Sequence, residues 1–589
     1  MAQLKSSRLD ESMRRGLALH QSGRVAEAEA IYRDVLAKQP RHAAANHLLG
    51  LARLQQGDAD AAVRSITRAV AARGDDPQYH GNLGVALEAA GRPAEAVASF
   101  DRAIALSPGF AEAHSNRGKA LRQLGRLEDA VDSYREALAR KPGEAGFQLN
   151  LANALADLGD LPAAETAYRE ALALRPCYPA ALSGLCRMLE ALGRADAAVA
   201  AGEQAAARYP REPEHHRALG RALLAARRPA EAVESYRRAL ALDATDAESW
   251  RLMSLIQRRA AHDADMQAME RLLARPDLPD AQRAHLHFAL GKGLDELGDV
   301  AASFGHYRAG NDLLHRAAPF PLAAAEREVE TLLRLFADPA PLPRAAPVEA
   351  PPVFIVGLPR AGKSSLEGML ARHPALRRGG ELPLLGHAVA HLRREAGLAE
   401  PGALAALAAE YLAGACRLAP PPLRLLDTMP LNLMHVGFIR LALPDAVILH
   451  CVRDPLEHAV AIYQKYFGRP GYEFSTDLGD LAAWYRLYRR LMAHWHAVFP
   501  GAILDVDVAA LRRAPEQPMR RILDFCGLDW DPACLVPFDP EPEIGEAPPP
   551  ADRLAPYRDL LSRDPQSGIL SRDSQSGLLS REAGEGDHA

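Results

Sequence analysis

Residues 353–370, VFIVGLPRAGKSSLEGML, contain the pattern from which the fold of the C-terminal half can be predicted. A short apolar run rich in β-branched residues is followed by a tight loop from Gly357 to Gly362, and then by a stretch with helical periodicity. This order of strand, loop and helix directs backbone N–H groups and a helix N-terminus at one point. We therefore predict an anion-binding loop in a domain that begins at Val353.

The loop satisfies the pattern G-x-x-x-x-G-K-[ST] from Gly357 to Ser364. This is the P-loop pattern of nucleotide triphosphatases, so a kinase or NTPase is one possible function. Such an enzyme needs a Mg2+-binding acid at a strand end, and Asp427, after LRLL, is the candidate.

Two longer segments resemble the sulfotransferases instead. FIVGLPRAGKSSLEGMLARHPALRRGGELPLL, 354–385, resembles the 5'-phosphosulfate loop of that family. ALPDAVILHCVRDPLEHAVAIYQKYF, 442–467, resembles its 3'-phosphate motif, which a Walker NTPase does not require. The resemblance covers about residues 353–535 and is to bacterial proteins with a domain like the tyrosylprotein sulfotransferases. It implies 3'-phosphoadenosine 5'-phosphosulfate (PAPS) as sulfuryl donor, with no metal.

The resemblance implies donor-binding roles for particular residues. Backbone amides and hydroxyls of the loop would hold the 5'-phosphate, and these belong to Ala361, Gly362, Lys363, Ser364 and Ser365. Arg360 and Lys363 are the cations available to stabilise charge on the bridging oxygen during in-line transfer. Arg453 would bind the 3'-phosphate, which distinguishes PAPS from ATP. An alternative role for Arg453 is an ion pair with Asp454 or Glu457.

Glu381 is the candidate base for the acceptor hydroxyl, in the Gly-Glu that follows the loop helix. Its alternative role is an N-cap carboxylate before the next helix. A base suits a phenolic acceptor such as tyrosine, whose ordinary pKa is about 10.

Glycines recur in the N-terminal half with a period of 34 residues, at Gly23, Gly57, Gly91, Gly125, Gly159 and Gly193. Small residues, aromatic residues and prolines recur with the same step. Each unit therefore reads as a helix, a turn at Gly, a second helix and a stop at Pro. This resembles the tetratricopeptide repeat. We predict an all-α solenoid followed by a three-layer α/β domain with a mostly parallel sheet.

The predicted organisation has five parts. These are about seven repeats at 11–245, a degenerate repeat or capping helices at 246–315, an Ala/Pro linker at 316–352, the sulfotransferase-like domain at 353–540 and a disordered tail at 541–589.

The solenoid is expected to bind a protein or an extended peptide on its concave surface. Asn82, Asn116 and Asn150 occupy one equivalent position in three successive repeats. Such amides can hydrogen-bond to a peptide backbone without recognising its side chains. In this respect the array resembles the repeats of protein O-GlcNAc transferases. Alternatively, these amides satisfy local polar groups of the helices.

Several features differ from the sulfotransferase pattern. Ala461 stands where a Ser would contact the 3'-phosphate, Thr428 stands where a Lys is usual, and the segment expected to cover the donor is replaced by the polar tail. A catalytically degenerate scaffold, in which only the repeats function, is therefore an alternative to an active enzyme.

Composition narrows the possible partners. Of 589 residues, 48% are apolar and 25% charged, which is typical of a soluble globular protein. The formal charge of -5 provides no general attraction to nucleic acid. The N-terminus lacks the apolar segment of a signal peptide, and no stretch is long and apolar enough to span a membrane. We therefore expect a cytoplasmic protein with no nucleic-acid or membrane partner.

No metal site is expected from the sequence. The six cysteines are scattered without a C-x-x-C pair. His494 and His496 flank Trp495 on a predicted helix, and we expect both to pack rather than to ligate.

Overall fold

The computed structural model describes residues 2–192, 194–340, 342–395, 400, 402–468 and 471–537. The predicted tail, 541–589, lies outside the described residues. The chain divides into two compact units, an N-terminal unit (Met1–Leu192) and a C-terminal unit (Gly193–Ala589).

The N-terminal unit consists of helices that pack in consecutive pairs. They are α1 (Ala2–Gln21), α2 (Val25–Lys38), α3 (Ala43–Gln55), α4 (Ala59–Ala72), α5 (Pro77–Ala89), α6 (Pro93–Leu106), α7 (Ala111–Gln123), α8 (Leu127–Arg140), α9 (Ala145–Leu158), α10 (Leu161–Leu174) and α11 (Pro179–Ala191). The predicted helix, turn, helix unit is confirmed in each pair from α1 to α10.

Left-handed backbone closes the turns between paired helices. The periodic glycines Gly23, Gly57, Gly91, Gly125 and Gly159 have φ between 71° and 85°, a region that glycine enters without steric cost. Gly193 lies outside the described residues. In the next repeat the turn residue is Arg227, which adopts the same conformation at φ 57°. The turn geometry is therefore retained where the glycine is lost.

A second set of glycines lets the paired helices approach closely. A Cβ atom built on Gly84 would lie 2.6 Å from the ring of Phe100, and one on Gly220 would lie 2.6 Å from the ring of Tyr236. Both rings are fully buried. Glycine therefore has two uses in the repeats, in the turn between paired helices and at the contact with a buried ring.

The C-terminal unit begins with more helices. They are α12 (Ala195–Arg208), α13 (Pro213–Ala225), α14 (Pro229–Leu242), α15 (Ala247–Ile256), α16 (Ala264–Leu273), α17 (Asp280–Glu296), α18 (Val300–Ala317) and α19 (Leu322–Leu335). Helices α17 and α18 pack closely against each other around a turn at Gly298, with φ 82°.

An α/β domain follows. Its elements are β1 (Val353–Val356), α20 (Lys363–Leu370), β2 (Leu376–Gly380), α21 (Leu384–Glu395), α22 (Ala403–Leu418), β3 (Arg424–Asp427), α23 (Val436–Ala442), β4 (Val447–Val452), α24 (Pro455–Tyr463), α25 (Leu478–Val498), β5 (Ile503–Asp507), α26 (Val508–Arg513) and α27 (Glu516–Phe525), with short 3-10 turns at Pro430–His435, Glu473–Ser475 and Pro532–Leu535. The strand order is β2-β3-β1-β4-β5, and every pairing is parallel.

Side chains of the strands alternate between two cores, because successive residues of a strand face opposite sides of the sheet. Val353 and Ile355 of β1 pack with α20, α26 and α27, whereas Phe354 and Val356 pack with α22, α23 and α25. The predicted α/β domain with helices on both faces of a parallel sheet is confirmed.

The last repeat helices share the larger of these cores. Asn311 of α18 donates from Nδ2 to the carbonyl of Tyr463 at 2.9 Å. The ring of Tyr466 lies 4.6 Å below the guanidinium of Arg251 and 4.5 Å from the ring of His285. Helices α15, α17 and α18 therefore contact the segment that follows α24.

The expected linker, 316–352, is only partly a linker. It contains α19, whose Val329 and Leu332 are fully buried, and Phe336 lies between the rings of Phe438 and Trp495. The Ala/Pro-rich composition of the segment gave no indication that one side of α19 is buried. Among the described helices of the whole chain, none is long and apolar enough to cross a bilayer.

We predict that Gly220→Ala lowers the free energy of unfolding by about 1–2 kcal/mol, because its methyl group overpacks Tyr236. The matched control is Gly305→Ala in α18, where the added methyl meets nothing within 4 Å. That variant is expected to be neutral or stabilised, because alanine favours a helix more than glycine does. Chemical denaturation measures both, and equal stabilities would contradict the close approach.

Candidate active site

The predicted site residues follow four neighbouring strands. The loop 357–362 follows β1, Glu381 follows β2, Thr428 follows β3 and Arg453 follows β4. Because all these strands are parallel, their carboxyl ends meet at one edge of the sheet. The structure therefore brings the two predicted motifs together at the place where open α/β sheets bind ligands.

Three consecutive carbonyls of the loop accept hydrogen bonds from side chains. Lys363 Nζ donates to Leu358 O at 2.9 Å, His458 Nε2 to Pro359 O at 2.8 Å and Arg453 Nη1 to Arg360 O at 3.2 Å. Since Arg453 and His458 come from the β4–α24 segment, this segment fixes the backbone of the loop. We call these three bonds the carbonyl clamp.

The loop backbone is also sterically constrained. Arg360 has φ 68°, a left-handed conformation uncommon for a non-glycine residue. A Cβ on Gly357 would lie 2.8 Å from Cys451 O, and one on Gly362 would lie 2.5 Å from Val508 Cγ1. Both positions therefore require glycine, and a strained residue retained between them is typical of a functional loop.

Helix α20 begins directly after the loop, at Lys363. The first amides of a helix have no partner within the helix, so those of residues 362–365 are directed toward its N-terminal end. The amide of Ala361, also predicted to bind the 5'-phosphate, instead donates within the loop to Leu358 O at 3.3 Å. The Ala361 amide therefore has a partner within the loop, and residues 362–365 supply the amides of the predicted set that lie at the helix start.

Arg453 makes the ion pair that was considered as its alternative role, and its binding of a 3'-phosphate stays a prediction. Its side chain is 16% exposed, its Nε lies 3.5 Å from Glu457 Oε2, and its Nη1 belongs to the carbonyl clamp. The ion pair with Glu457 holds the guanidinium beside the loop.

His458 was not singled out from the sequence. It is fully buried, and burial lowers the pKa of this imidazole to about 3. It is therefore neutral at ordinary pH and carries its proton on Nε2, since the carbonyl of Pro359 can only accept. The sequence feature that could have indicated a role for His458 was its position three residues after Arg453-Asp454-Pro455.

Glu367 was likewise missed. Its buried carboxylate accepts from the amide of Gly380 at 2.7 Å and from Arg378 Nη2 at 3.1 Å. Burial raises the pKa of Glu367. The bond to Gly380 ties α20 to the end of β2, so it positions Glu381, which is exposed beside the sheet edge.

Asp427, the candidate Mg2+ ligand of an NTPase, is buried and accepts hydrogen bonds from three protein groups. It is fully buried, and its carboxylate accepts from Met429 N at 3.1 Å, Asn432 Nδ2 at 3.0 Å and Tyr411 OH at 3.3 Å. Burial raises the pKa of Asp427 to about 7. These contacts shape the segment after β3 and leave the carboxylate unsuited to a nucleotide-bound cation.

In the N-terminal unit, the three predicted asparagines are half-buried. Asn82 Nδ2 lies 2.7 Å from His47 Nε2, and Asn150 Nδ2 lies 3.5 Å from Ser115 Oγ, in each case on the preceding repeat. Both amides therefore face a neighbouring first helix and have part of their bonding capacity in use.

We predict that Asp427→Asn flattens the pH dependence of stability. A raised pKa in the folded state contributes stability that is present below the ordinary pKa and lost as pH rises toward 7. At 1.36 kcal/mol per pKa unit, the two units between pH 5 and pH 7 give a loss of at most about 3 kcal/mol. The free energy of unfolding, measured by chemical denaturation at pH 5 and pH 8, gives this loss. The control is the exposed Asp524→Asn. A wild-type protein whose pH profile matches that of Asp427→Asn would contradict the buried acid.

Comparison with known proteins agrees with both halves of this description. The model described as "Sulfotransferase family" matches residues 351–532. The model described as "Tetratricopeptide repeat" matches the overlapping segments 13–77, 47–111, 82–145, 115–181, 149–212 and 187–247.

Curated relatives match parts of the chain. An uncharacterized protein of Aquifex aeolicus is 30% identical over 47% of this chain and 38% of its own. The protein-tyrosine sulfotransferase of Drosophila melanogaster is 27% identical over 32% of this chain and 40% of its own, and protein-tyrosine sulfotransferase 2 of Gallus gallus is 24% identical over 32% and 54%. The chain thus spans between about a third and just over half of these relatives.

Among solved structures, the type IV pilus biogenesis factor PilW has a TM-score of 0.33 at 23% identity, over 35% of this chain and 96% of that chain. The family matches place tetratricopeptide repeats in residues 13–247 and a domain of the sulfotransferase family in residues 351–532.

Proposed function

We propose that this protein transfers a sulfuryl group from PAPS to a hydroxyl acceptor, and that the acceptor is a tyrosine of a protein recruited by the repeats. The observation that carries the proposal is the carbonyl clamp, in which Arg453 of the second motif is bonded to Arg360 O of the first. A preformed loop with an arginine beside it suits a ligand that carries phosphate at two positions.

Donor binding uses the start of α20. The amides of residues 362–365 and the two serine hydroxyls would hold the 5'-phosphate, and the helix dipole favours its negative charge. Arg453 would use donors outside the clamp for the 3'-phosphate, because a guanidinium has five N–H groups.

Transfer breaks the bond between sulfur and the bridging oxygen and forms a bond from sulfur to the acceptor oxygen. Arg360 and Lys363 would stabilise the charge that develops on the bridging oxygen. The acceptor proton passes to Glu381, whose exposure leaves it open to a bound substrate. These steps involve no metal.

The repeats would supply the acceptor. A stacked helical array presents an extended surface that suits peptides, and Asn82, Asn116 and Asn150 would hold the backbone of one. The contact of Tyr466 with Arg251 and His285 supports acceptor binding by the repeats and catalysis by the α/β domain, since it joins the last repeat helices to the segment after α24.

The NTPase alternative is disfavoured because the carboxylate of Asp427 is buried and already accepts hydrogen bonds from protein groups. The degenerate scaffold keeps its supporting observations, among them Ala461, which removes a hydroxyl from α24, and Thr428, which stands where a Lys is usual. Binding of the desulfated product decides between scaffold and enzyme, because a scaffold has no need of the donor site.

We predict that calorimetry detects binding of 3'-phosphoadenosine 5'-phosphate (PAP), with weaker binding of 5'-AMP and of ATP with Mg2+. Arg453→Ala is expected to weaken PAP binding about 10- to 100-fold, because it removes a charged hydrogen bond. The control for loss of one positive charge is exposed Arg521→Ala.

The comparison with 5'-AMP separates the two roles of Arg453. If it binds the 3'-phosphate, Arg453→Ala lowers PAP affinity far more than 5'-AMP affinity. Equal losses would assign it to the loop alone. No PAP binding by the wild type would overturn the enzyme and leave the scaffold.

We predict that Glu381→Gln lowers kcat about 10²- to 10⁴-fold for sulfate transfer from PAPS to tyrosine peptides, since it removes the base. PAP affinity should be unchanged. Exposed Glu349→Gln is the matched control. Full activity of Glu381→Gln would show that another group accepts the proton.

A further inference from the structure

Two histidines and an aspartate converge on the sheet face that packs against α25. His450 Nδ1 lies 2.6 Å from Asp505 Oδ1, and His496 Nε2 lies 3.1 Å from the same oxygen. His450 and Asp505 are register partners on β4 and β5, so they face the same side of the sheet. The candidate ligand atoms of all three lie within 4.8 Å of one another.

This spacing suits a bound ion. A transition metal at about 2.0–2.2 Å from nitrogen and oxygen ligands spaces those atoms about 3–3.5 Å apart. The two distances to Asp505 Oδ1 need to open by less than about 1 Å to reach that spacing, and the two imidazole nitrogens lie no more than 4.8 Å apart. The separation of the ligands in sequence, across β4, α25 and β5, explains why no spacing motif revealed them.

Tyr488 completes the arrangement. Its hydroxyl lies 2.5 Å from His450 Nε2 and is buried. When an ion occupies Nδ1, the imidazole must carry its proton on Nε2 and needs an acceptor there. A tyrosine hydroxyl can donate in one state and accept in the other. His450 can therefore change tautomer on metal binding without losing a hydrogen bond.

The cluster is accessible. The side chains of His496 and Asp505 are each 37% exposed, whereas that of His450 is 4% exposed. An ion could therefore enter from solvent and keep a water in a remaining position. Two imidazoles and one carboxylate form a ligand set that zinc uses.

We propose that His450, His496 and Asp505 bind one divalent transition metal ion of the zinc class. This revises two expectations from the sequence, that the protein has no metal site and that His496 only packs. The site is independent of the proposed sulfuryl transfer, and the ion fastens β4 and β5 to α25. Because β4 leads directly to Arg453, the fastening stabilises the strand from which the carbonyl clamp extends.

The test is isothermal titration of Zn2+ into the full chain freed of metal by chelator. The expected result is one saturable site per chain and a Zn2+-dependent rise in melting temperature. His496→Ala and Asp505→Asn should each weaken binding at least about 10-fold and abolish the rise. Tyr488→Phe should weaken binding about 10- to 100-fold, the effect expected of a group that orients a ligand.

The matched control is His494→Ala, which removes a histidine from the same helix outside the cluster. Mg2+ is the control for nonspecific binding, since it prefers oxygen ligands. Absence of a saturable Zn2+ site would overturn the proposal. So would affinity unaffected by His496→Ala, which would assign the ion to other groups such as the exposed Cys177 or Cys416.

Discussion

The carbonyl clamp is the interaction on which the rest of the site depends. A loop that binds an anion through backbone amides must turn its carbonyls away from the ligand, and each buried carbonyl left unpaired would cost about 1–3 kcal/mol. Here Lys363, His458 and Arg453 satisfy three in succession. The same bonds connect the loop after β1 with the segment after β4, so they join the two motifs that are predicted to bind phosphate.

Buried acids extend these connections to the neighbouring strands. Glu367 ties α20 to the end of β2, and Asp427 orders the segment after β3. Burial raises the pKa of both carboxyl groups. Burying a carboxylic acid disfavours its charged form, so both residues lower the stability of the fold at high pH. Their hydrogen bonds hold the segments that follow β2 and β3 at the sheet edge. Glu381, by contrast, remains exposed.

Local patterns predicted much of the fold. The 34-residue glycine period and the strand, loop, helix order at 353–370 are encoded over short stretches, and both the helix pairs and the loop are found. Contacts between distant segments were not predictable. His458 bonds to Pro359 and Glu367 to Gly380 only because the parallel sheet brings their elements together. The buried face of α19 was hidden by its Ala/Pro surroundings, and the internal bond of the Ala361 amide depends on the loop's own turn.

The central claim is that the carbonyl clamp preforms the anion cradle, and a crystal structure of the PAP complex tests it most directly. We predict the 5'-phosphate at the amides of residues 362–365, with the carbonyls of residues 358–360 still bonded to Lys363, His458 and Arg453. A nucleotide bound elsewhere, or a loop whose peptide groups have turned to release these bonds, would contradict it.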